Sequence, residues 1–308
     1  MNAVTYGPFP GGLPRSFAAD FSQMAAAGFN AIRLYEMPDA RLLDAAAEHG
    51  LKVFGGLEWG QSADFFQQPG LYSAAAVSLV NGLRDTADHP ALAGVYVGNE
   101  VPADLARWMD PLKVRRALEE LITLGKELAP GLLFAYANYP STEYLEPENA
   151  DFTAFNIYLE NESAFRGYVK RLHHIAGDRP LVISEFGIDS RRNGLDRQAE
   201  ILGWATRAAL DLECAGMTIY AWSDRWWVGL AYALEAAMVA RWMRRENVAH
   251  LHVHFGNAGA TVGIASGLGF AQQVDPIASQ PAAIFSGFFS LMGVVMIMSA
   301  GLHRVAIQ

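Results

Sequence analysis

The chain has 308 residues, 52% hydrophobic and 18% charged, with a formal net charge of −9. That length accommodates one large domain or two ordinary ones around a sizeable core. The acidic balance, with no Lys/Arg run, argues against a nucleic-acid partner held through phosphates. The lone Cys214 excludes an intramolecular disulfide and a cysteine zinc cluster.

The opening MNAVTYGPFPGG has no basic n-region and no apolar h-region, so it does not read as a secretory signal, and a cytoplasmic location is the default expectation. Short apolar runs then recur. Strands are expected at 3–9 (AVTYGPF), 31–36 (AIRLYE), 52–59 (KVFGGLEW), 94–100 (GVYVGNE), 132–139 (LLFAYANY), 152–159 (FTAFNIYL), 181–187 (LVISEFG) and 216–223 (GMTIYAWS). Helical stretches lie between them at 16–28, 39–50, 111–131 and 195–216, several stopping at a glycine as a C-terminal cap would. Eight near-continuous apolar strands in βα units predict an α/β protein with a closed parallel (β/α)8 barrel, a TIM barrel. A doubly wound sheet would normally carry a glycine-rich phosphate turn after its first strand. Here that place holds Gly7-Pro8-Phe9-Pro10-Gly11-Gly12, which is not GxGxxG.

In such a barrel the reacting groups sit where strands end and βα loops begin. The strand-end residues are Arg33, Tyr35 and Glu36; Glu58 and Trp59; Asn99 and Glu100; Asn138 and Tyr139; Asn156 and Tyr158; Glu185; and Trp222 and Asp224. Glu100 ends the fourth strand and Glu185 the seventh, which lie across the barrel mouth, so the two carboxylates can converge. A retaining glycosidase needs such a pair ~5–5.5 Å apart, one attacking the anomeric carbon and the other moving the proton. Their environments should differ: Arg33 and Tyr158 can keep the nucleophile ionised, and the acid should be less solvated. Arg33 lies inside an apolar strand and needs a carboxylate partner, with a structural pair to Glu36 or Glu58 as the alternative. Asn156 and Tyr158 could equally cap a strand end. Trp59, Trp108, Trp222, Trp226 and Trp227 fall at strand ends or in the loops after them, where they can pack the rim or stack on sugar faces. Asp224 and Glu36 read as polar rim residues.

VGNEV with Asn99-Glu100, and ISEFG with Glu185, resemble the two signatures of the clan A retaining glycoside hydrolases. The opening VTYGPFPGG, the block 30–53 and VGNEV are similar to bacterial β-glucan-active members related to β-1,3-glucanases and glucanosyltransferases. The SEFG form also resembles the β-galactosidase/glucuronidase family. The resemblance spans residue 3 to about 228. It implies Glu100 as acid/base, Glu185 as nucleophile, Asn99 as the amide holding the sugar 2-hydroxyl, Tyr158 as the nucleophile's partner and Trp222 as a sugar platform. Arg33, Trp59, Asn156 and Asn138 complete the candidate substrate-binding set. No metal or organic cofactor is called for.

After Trp227 the rhythm changes. Residues 232–247 (YALEAAMVARWMRREN) read as one amphipathic helix that could close the barrel. His250, His252 and His254 would share one face of a strand, as metal ligands could, although neither a fourth ligand nor an outer shell can be assigned. HLHVHFGNAGATV is similar to the early part of a GT-B glycosyltransferase domain. The last stretch resembles a fragment of a flagellar type III export membrane protein of the FliR type. Within it, residues 284–302 carry no charge over a length that can span a bilayer, so membrane contact is expected there. Two short partial resemblances after a complete barrel are what a joined or misassembled reading frame would give; a C-terminal helical hairpin is the plain alternative. The expected organisation is therefore a (β/α)8 glycoside hydrolase domain at 1–230 and a helical, apolar extension at 231–308. The expected activity is a retaining hydrolase or transglycosidase on a β-linked glycan, a β-glucan. The other classes are a non-catalytic carbohydrate-binding barrel and a membrane-associated subunit of a polysaccharide synthesis or export system.

Overall fold

The eight apolar runs become strands that pair in chain order into one closed barrel. The computed structural model describes residues 1–9, 13–57, 59–223, 241, 245, 251–253, 296–300 and 303–307. The barrel strands are β1 (Asn2–Thr5), β2 (Ala31–Arg33), β3 (Lys52–Gly56), β4 (Leu92–Asn99), β5 (Leu133–Asn138), β6 (Thr153–Asn156), β7 (Leu181–Phe186) and β8 (Gly216–Ile219). All neighbours are parallel, and β1 pairs with β8 to close the wall. Most strands are shorter than the apolar runs suggested. β2 stops at Arg33 and β8 at Ile219, and the residues beyond them turn into the rim.

Around the wall lie α1 (Ala18–Ala26), α2 (Ala40–Glu48), α3 (Pro69–Arg84), α4 (Ala103–Met109), α5 (Pro111–Leu128), α6 (Glu162–Ala176), α7 (Ser190–Asn193) and α8 (Leu195–Asp211). Their starts follow local chemistry. Asp39 caps α2 by accepting from the Leu42 amide, Asp110 caps α5 ahead of Pro111, and Asn161 caps α6. The β5–β6 connection departs from the repeat, with a single 3₁₀ turn at Glu143–Leu145 in place of a helix.

Alternation along the strands sorts side chains into two layers. Ala3, Ala31, Phe54, Tyr96, Ala135, Ala137, Ala154 and Val182 fill the barrel interior. Val4, Ile32, Val53, Val95, Phe134 and Tyr136 join the larger core outside it, and Phe155 and Ile183 a second outer cluster on the β6–β8 side.

The chain divides into two compact units, Met1–Ser223 and Asp224–Gln308, a boundary earlier than the expected 230. In the second unit, β9 (Leu251–Val253), β10 (Met296–Ala300) and β11 (His303–Ile307) form an antiparallel sheet in the order β11-β10-β9. Residues 296–300 of the apolar tail are thus a strand and not part of a helical hairpin. Periodicity does not separate strand from helix in a short apolar run, and pairing with 303–307 decides it. Among the described residues no helix is long and apolar enough to cross a membrane, and no group of three or more His, Cys, Asp or Glu could hold a metal. Most of the expected helix at 232–247, together with Glu58, Asp224, Trp226, Trp227, His250 and His254, lies outside the described residues.

Candidate active site

Three irregularities shape the mouth. The pairing register shifts between Tyr96 and Asn99 on β4, between Phe155 and Asn156 on β6, and between Ile183 and Phe186 on β7. Such bulges re-aim side chains at barrel rims. Just past the β4 shift, Glu100 takes a left-handed backbone conformation with φ 52° while its amide still donates to the Ala137 carbonyl at 2.9 Å. A non-glycine residue held there costs of order 1–3 kcal/mol and survives where the surroundings over-determine it.

At the bottom of the mouth, Arg33 is 1% exposed and Glu185 0%. An arginine so deep needs a counter-charge, and Glu185 supplies it: Arg33 Nη1 lies 2.8 Å from Glu185 Oε1. Nη1 also donates to the Ser184 carbonyl at 2.7 Å, and Nη2 to Asn99 Oδ1 at 2.8 Å. Arg33 therefore finds its carboxylate partner in Glu185 on β7, across the barrel from β2. Two phenols complete the clasp. Tyr35 Oη donates to Glu185 Oε1 at 2.5 Å and Tyr158 Oη to Oε2 at 2.6 Å. Burial, then the Glu185 charge, holds both phenols well above the ordinary tyrosine pKa, so both keep the proton they donate.

Glu100 sits differently. Among the described residues its side-chain carboxylate accepts from the amide of Asn156, Nδ2 to Oε1 at 2.9 Å. Burial first, then the charge of Glu185, pushes its pKa to about 8, against the smaller opposing effects of the Asn156 bond and Arg33. At neutral pH Glu100 thus holds its proton, while Glu185 is bound to Arg33. Asn156 links the two halves. Its Nδ2 also reaches Asn99 Oδ1 at 3.0 Å, and its Oδ1 accepts from Ser184 Oγ at 2.7 Å and from Arg33 Nη1 at 3.4 Å.

The structure thus brings together Arg33, Asn99, Glu100, Asn156, Tyr158 and Glu185. Of the other expected residues, Asn138 is turned away from this group, while Trp59 and Trp222 are half-buried against the outer core. Asn138 shares the outward face of β5 with Phe134 and Tyr136, and its Oδ1 accepts from Thr142 Oγ1 at 2.6 Å and from the Tyr139 amide at 2.9 Å, so its side chain points away from the mouth. The two-residue period of the strand, with Ala135 and Ala137 facing in, requires this. Trp59 is half-buried, packs on Phe65 and Tyr72, and donates Nε1–H to the Val97 carbonyl at 3.0 Å. Trp222 is half-buried against the large outer core, and its amide bonds the Thr5 carbonyl at 2.9 Å. Three members were not singled out as binding residues from sequence. Tyr35 was read only as a strand-end residue, Ser184 precedes the nucleophile candidate, and Gln61 grips the backbone of Asn99 at both its N–H and its C=O. Tyr35 had the same signal as Tyr158, a tyrosine two residues past an inward-facing strand residue.

No protein-family model matches the chain, and no curated protein sequence does. Among solved structures, β-glucuronidase 2 of Bacteroides uniformis, covalently bound to cyclophellitol-6-carboxylate aziridine, is similar over 66% of this chain and 27% of its own, with TM-score 0.57 and 19% identity. A GH2 β-galacturonidase from Eisenbergiella tayi bound to galacturonate is similar over 71% of this chain and 43% of its own, with TM-score 0.57 and 20% identity. The β-glucuronidase of Ruminococcus gnavus matches over 72% and 43%, with TM-score 0.59 and 15% identity. The chain thus spans less than half the length of each of these enzymes. At these identities the likeness carries the (β/α)8 barrel fold alone and does not bear on the expected β-1,3-glucanase specificity.

Proposed function

We propose that the barrel unit is a retaining β-glycosidase, working as a hydrolase or transglycosidase by double displacement. What carries this reading is the opposite setting of two glutamates joined through Asn156 and Arg33: Glu185 clasped by a cation and two phenols, and Glu100 with a pKa of about 8. In the first step a Glu185 oxygen attacks the anomeric carbon while Glu100 gives its proton to the departing glycosidic oxygen. Oε1 already accepts from Arg33 and Tyr35, whereas among the described residues Oε2 accepts from Tyr158 alone, which leaves Oε2 the better placed to attack. Formation of the ester removes the charge on Glu185 that helped hold the proton on Glu100. Glu100 then becomes the base that deprotonates the incoming water or sugar hydroxyl in the second step. No step calls for a metal or organic cofactor. Activity should accordingly decline above about pH 8, where free Glu100 loses its proton, and a pH profile of kcat/KM reads that limb directly.

The substrate we favour is a neutral β-linked glycan, a β-glucan. Arg33 is the one fully buried cation among the described residues, and it is committed to Glu185 instead of a substrate carboxylate. Treating the full chain with a 2-fluoro-β-glucoside and mapping peptides tests both parts of the reading. The expected adduct is a glucosyl ester on the 181–187 peptide at Glu185. An adduct elsewhere removes the nucleophile assignment, and labelling only by the corresponding glucuronide removes the neutral-glycan reading.

A further inference from the structure

The β3–α3 loop and helix α4, which follow β3 and β4 out of the barrel, carry an aromatic surface that the chemistry of the two glutamates does not use. Trp108, near the end of α4, is 73% exposed, and Phe66, in the β3–α3 loop, is 42% exposed. Isolated exposed apolar side chains are common and carry no message. These two are tied together. Asp64 Oδ2 accepts the Trp108 indole Nε1–H at 3.3 Å, while Asp64 Oδ1 accepts the Phe66 amide at 3.1 Å. One carboxylate thus fixes an indole and a benzyl group that both stay open to solvent. The buried side of α4 is carried by Ala106 and Met109, so folding of the helix does not require a tryptophan at 108.

Ring contacts that pass through the buried Phe65 link this surface to the end of β3. Phe66 packs on Phe65 with ring centroids 4.7 Å apart, and Phe65 on Trp59 at 5.0 Å. Trp59 is anchored to the Val97 carbonyl on β4. Gln61, in the same loop, holds the backbone of Asn99, the residue before Glu100. The aromatic strip therefore starts beside the proton donor and runs outward. The proton donor faces the leaving-group oxygen, so the sugars beyond the cleaved bond lie on the Glu100 side. Flat apolar faces, each with a polar edge held by the protein, suit the C–H faces of a pyranose chain whose hydroxyls stay in water.

We propose that Trp108 and Phe66, set by Asp64, form a platform for the leaving-group and acceptor portion of a β-linked glucan chain. This rests on the glycosidase reading above and adds the location of the sugars beyond the cleaved bond. Its test separates the two. Binding of laminarihexaose and of cellohexaose is measured by calorimetry on the full chain bearing Glu185→Gln, with and without Trp108→Ala or Phe66→Ala. Turnover of p-nitrophenyl β-glucoside and of the better-bound hexasaccharide is measured on the chain that retains Glu185. The expected result is about a tenfold loss of hexasaccharide affinity with Trp108→Ala, a smaller loss with Phe66→Ala, and a matching rise in KM for the hexasaccharide. Leu210→Ala, at an exposed apolar position on α8, should change none of these. Hexasaccharide affinity indifferent to both aromatic substitutions, or no hexasaccharide binding at all, overturns the platform. So does a shift from dimer to monomer on Trp108→Ala with glycan affinity intact, since the surface would then cover a second copy of the chain. If affinity falls with Trp108→Ala but no variant retaining Glu185 cleaves either substrate, the platform stands and the enzyme reading fails.

Discussion

Tyr35 and Tyr158 approach the same carboxylate from opposite sides of the barrel mouth, and their consequences differ. Tyr35 shares Glu185 Oε1 with Arg33, whereas Tyr158 is the one donor to Oε2 among the described residues. Hydrogen bonds to a charged group contribute about 1.5–3 kcal/mol, more than neutral ones. Removing the Tyr35 hydroxyl leaves Arg33 in place on the same oxygen, so the carboxylate loses orientation and keeps its counter-ion. Tyr35→Phe should therefore lower kcat about 10–100-fold with little change in KM for a short aryl glucoside. Single-turnover kinetics separate glycosylation from deglycosylation, and an effect confined to KM would show that the Tyr35 hydroxyl acts on the sugar instead of through Glu185. The Glu100–Glu185 pair was legible in the sequence because Asn-Glu and Glu-Phe-Gly each close an apolar run at the right strand ordinal. The clasp around it was only partly so. Arg33 and Tyr158 stood at strand ends with obvious chemistry, while Tyr35 and Gln61 become site members through cross-barrel distances that no spacing encodes.

The short strands of the barrel work as mounts, and β2 and β3 show how tightly. Gly56 ends β3 against the backbone beyond β2, where an added Cβ would come within 2.5 Å of the Tyr35 carbonyl carbon and 2.6 Å of the Leu34 oxygen. Those are main-chain atoms with no rotamer to give way, so the end of β2 would have to shift. That end carries Arg33 and leads directly to Tyr35, both bonded to Glu185. Gly56→Ala should thus cost about 1–3 kcal/mol of stability. It should also lower kcat/KM in a folded sample well beyond what the fraction unfolded explains, as calorimetry and assays at 15 °C on one preparation would show. A loss of stability with full specific activity would mean that β2 absorbs the shift below Arg33. At this scale the sequence was informative for strands, whose runs of Val, Ile, Phe and Ala stand out, and less so for helices. α3 and α6 went unassigned. α3 is rich in small residues and has no side-chain N-cap, and its opening Pro69 follows a stretch that reads as a loop; α6 begins with Asn161 capping inside another such stretch. The inward or outward sense of Asn138 was legible in principle, since Ala135 and Ala137 fix the parity of β5, but strand-end position alone hides it.

Across the barrel unit as a whole, the charge state of two glutamates links the fold to pH. One is Glu100. The other is Glu146, which lies between the 3₁₀ turn and β6, is 7% exposed, and takes no part in the mouth. Burial pushes its pKa to about 7, while Thr153, Arg179 and Asn138 favour the charged form less strongly. Arg179 Nη2 stands 3.4 Å from Glu146 Oε1, at the long end of an ion pair, and its Nη1 is engaged with the Pro147 carbonyl. Because the folded-state pKa is raised above the unfolded value near 4.5, the native state holds the proton more tightly than the unfolded chain does. Stability is then lost as pH rises between about 4.5 and 7, and the penalty is complete above that window, at roughly 3 kcal/mol. Glu146→Gln removes the titration and keeps the shape. It should leave the unfolding free energy near pH 5 close to that of the unchanged chain, and raise it by about 1–3 kcal/mol at pH 8, where the charged carboxylate is no longer carried into the fold. Denaturant melts of the full chain at both pH values measure the difference. If the substitution instead destabilises the protein more at pH 8 than at pH 5, the Arg179 ion pair outweighs the cost of burying Glu146.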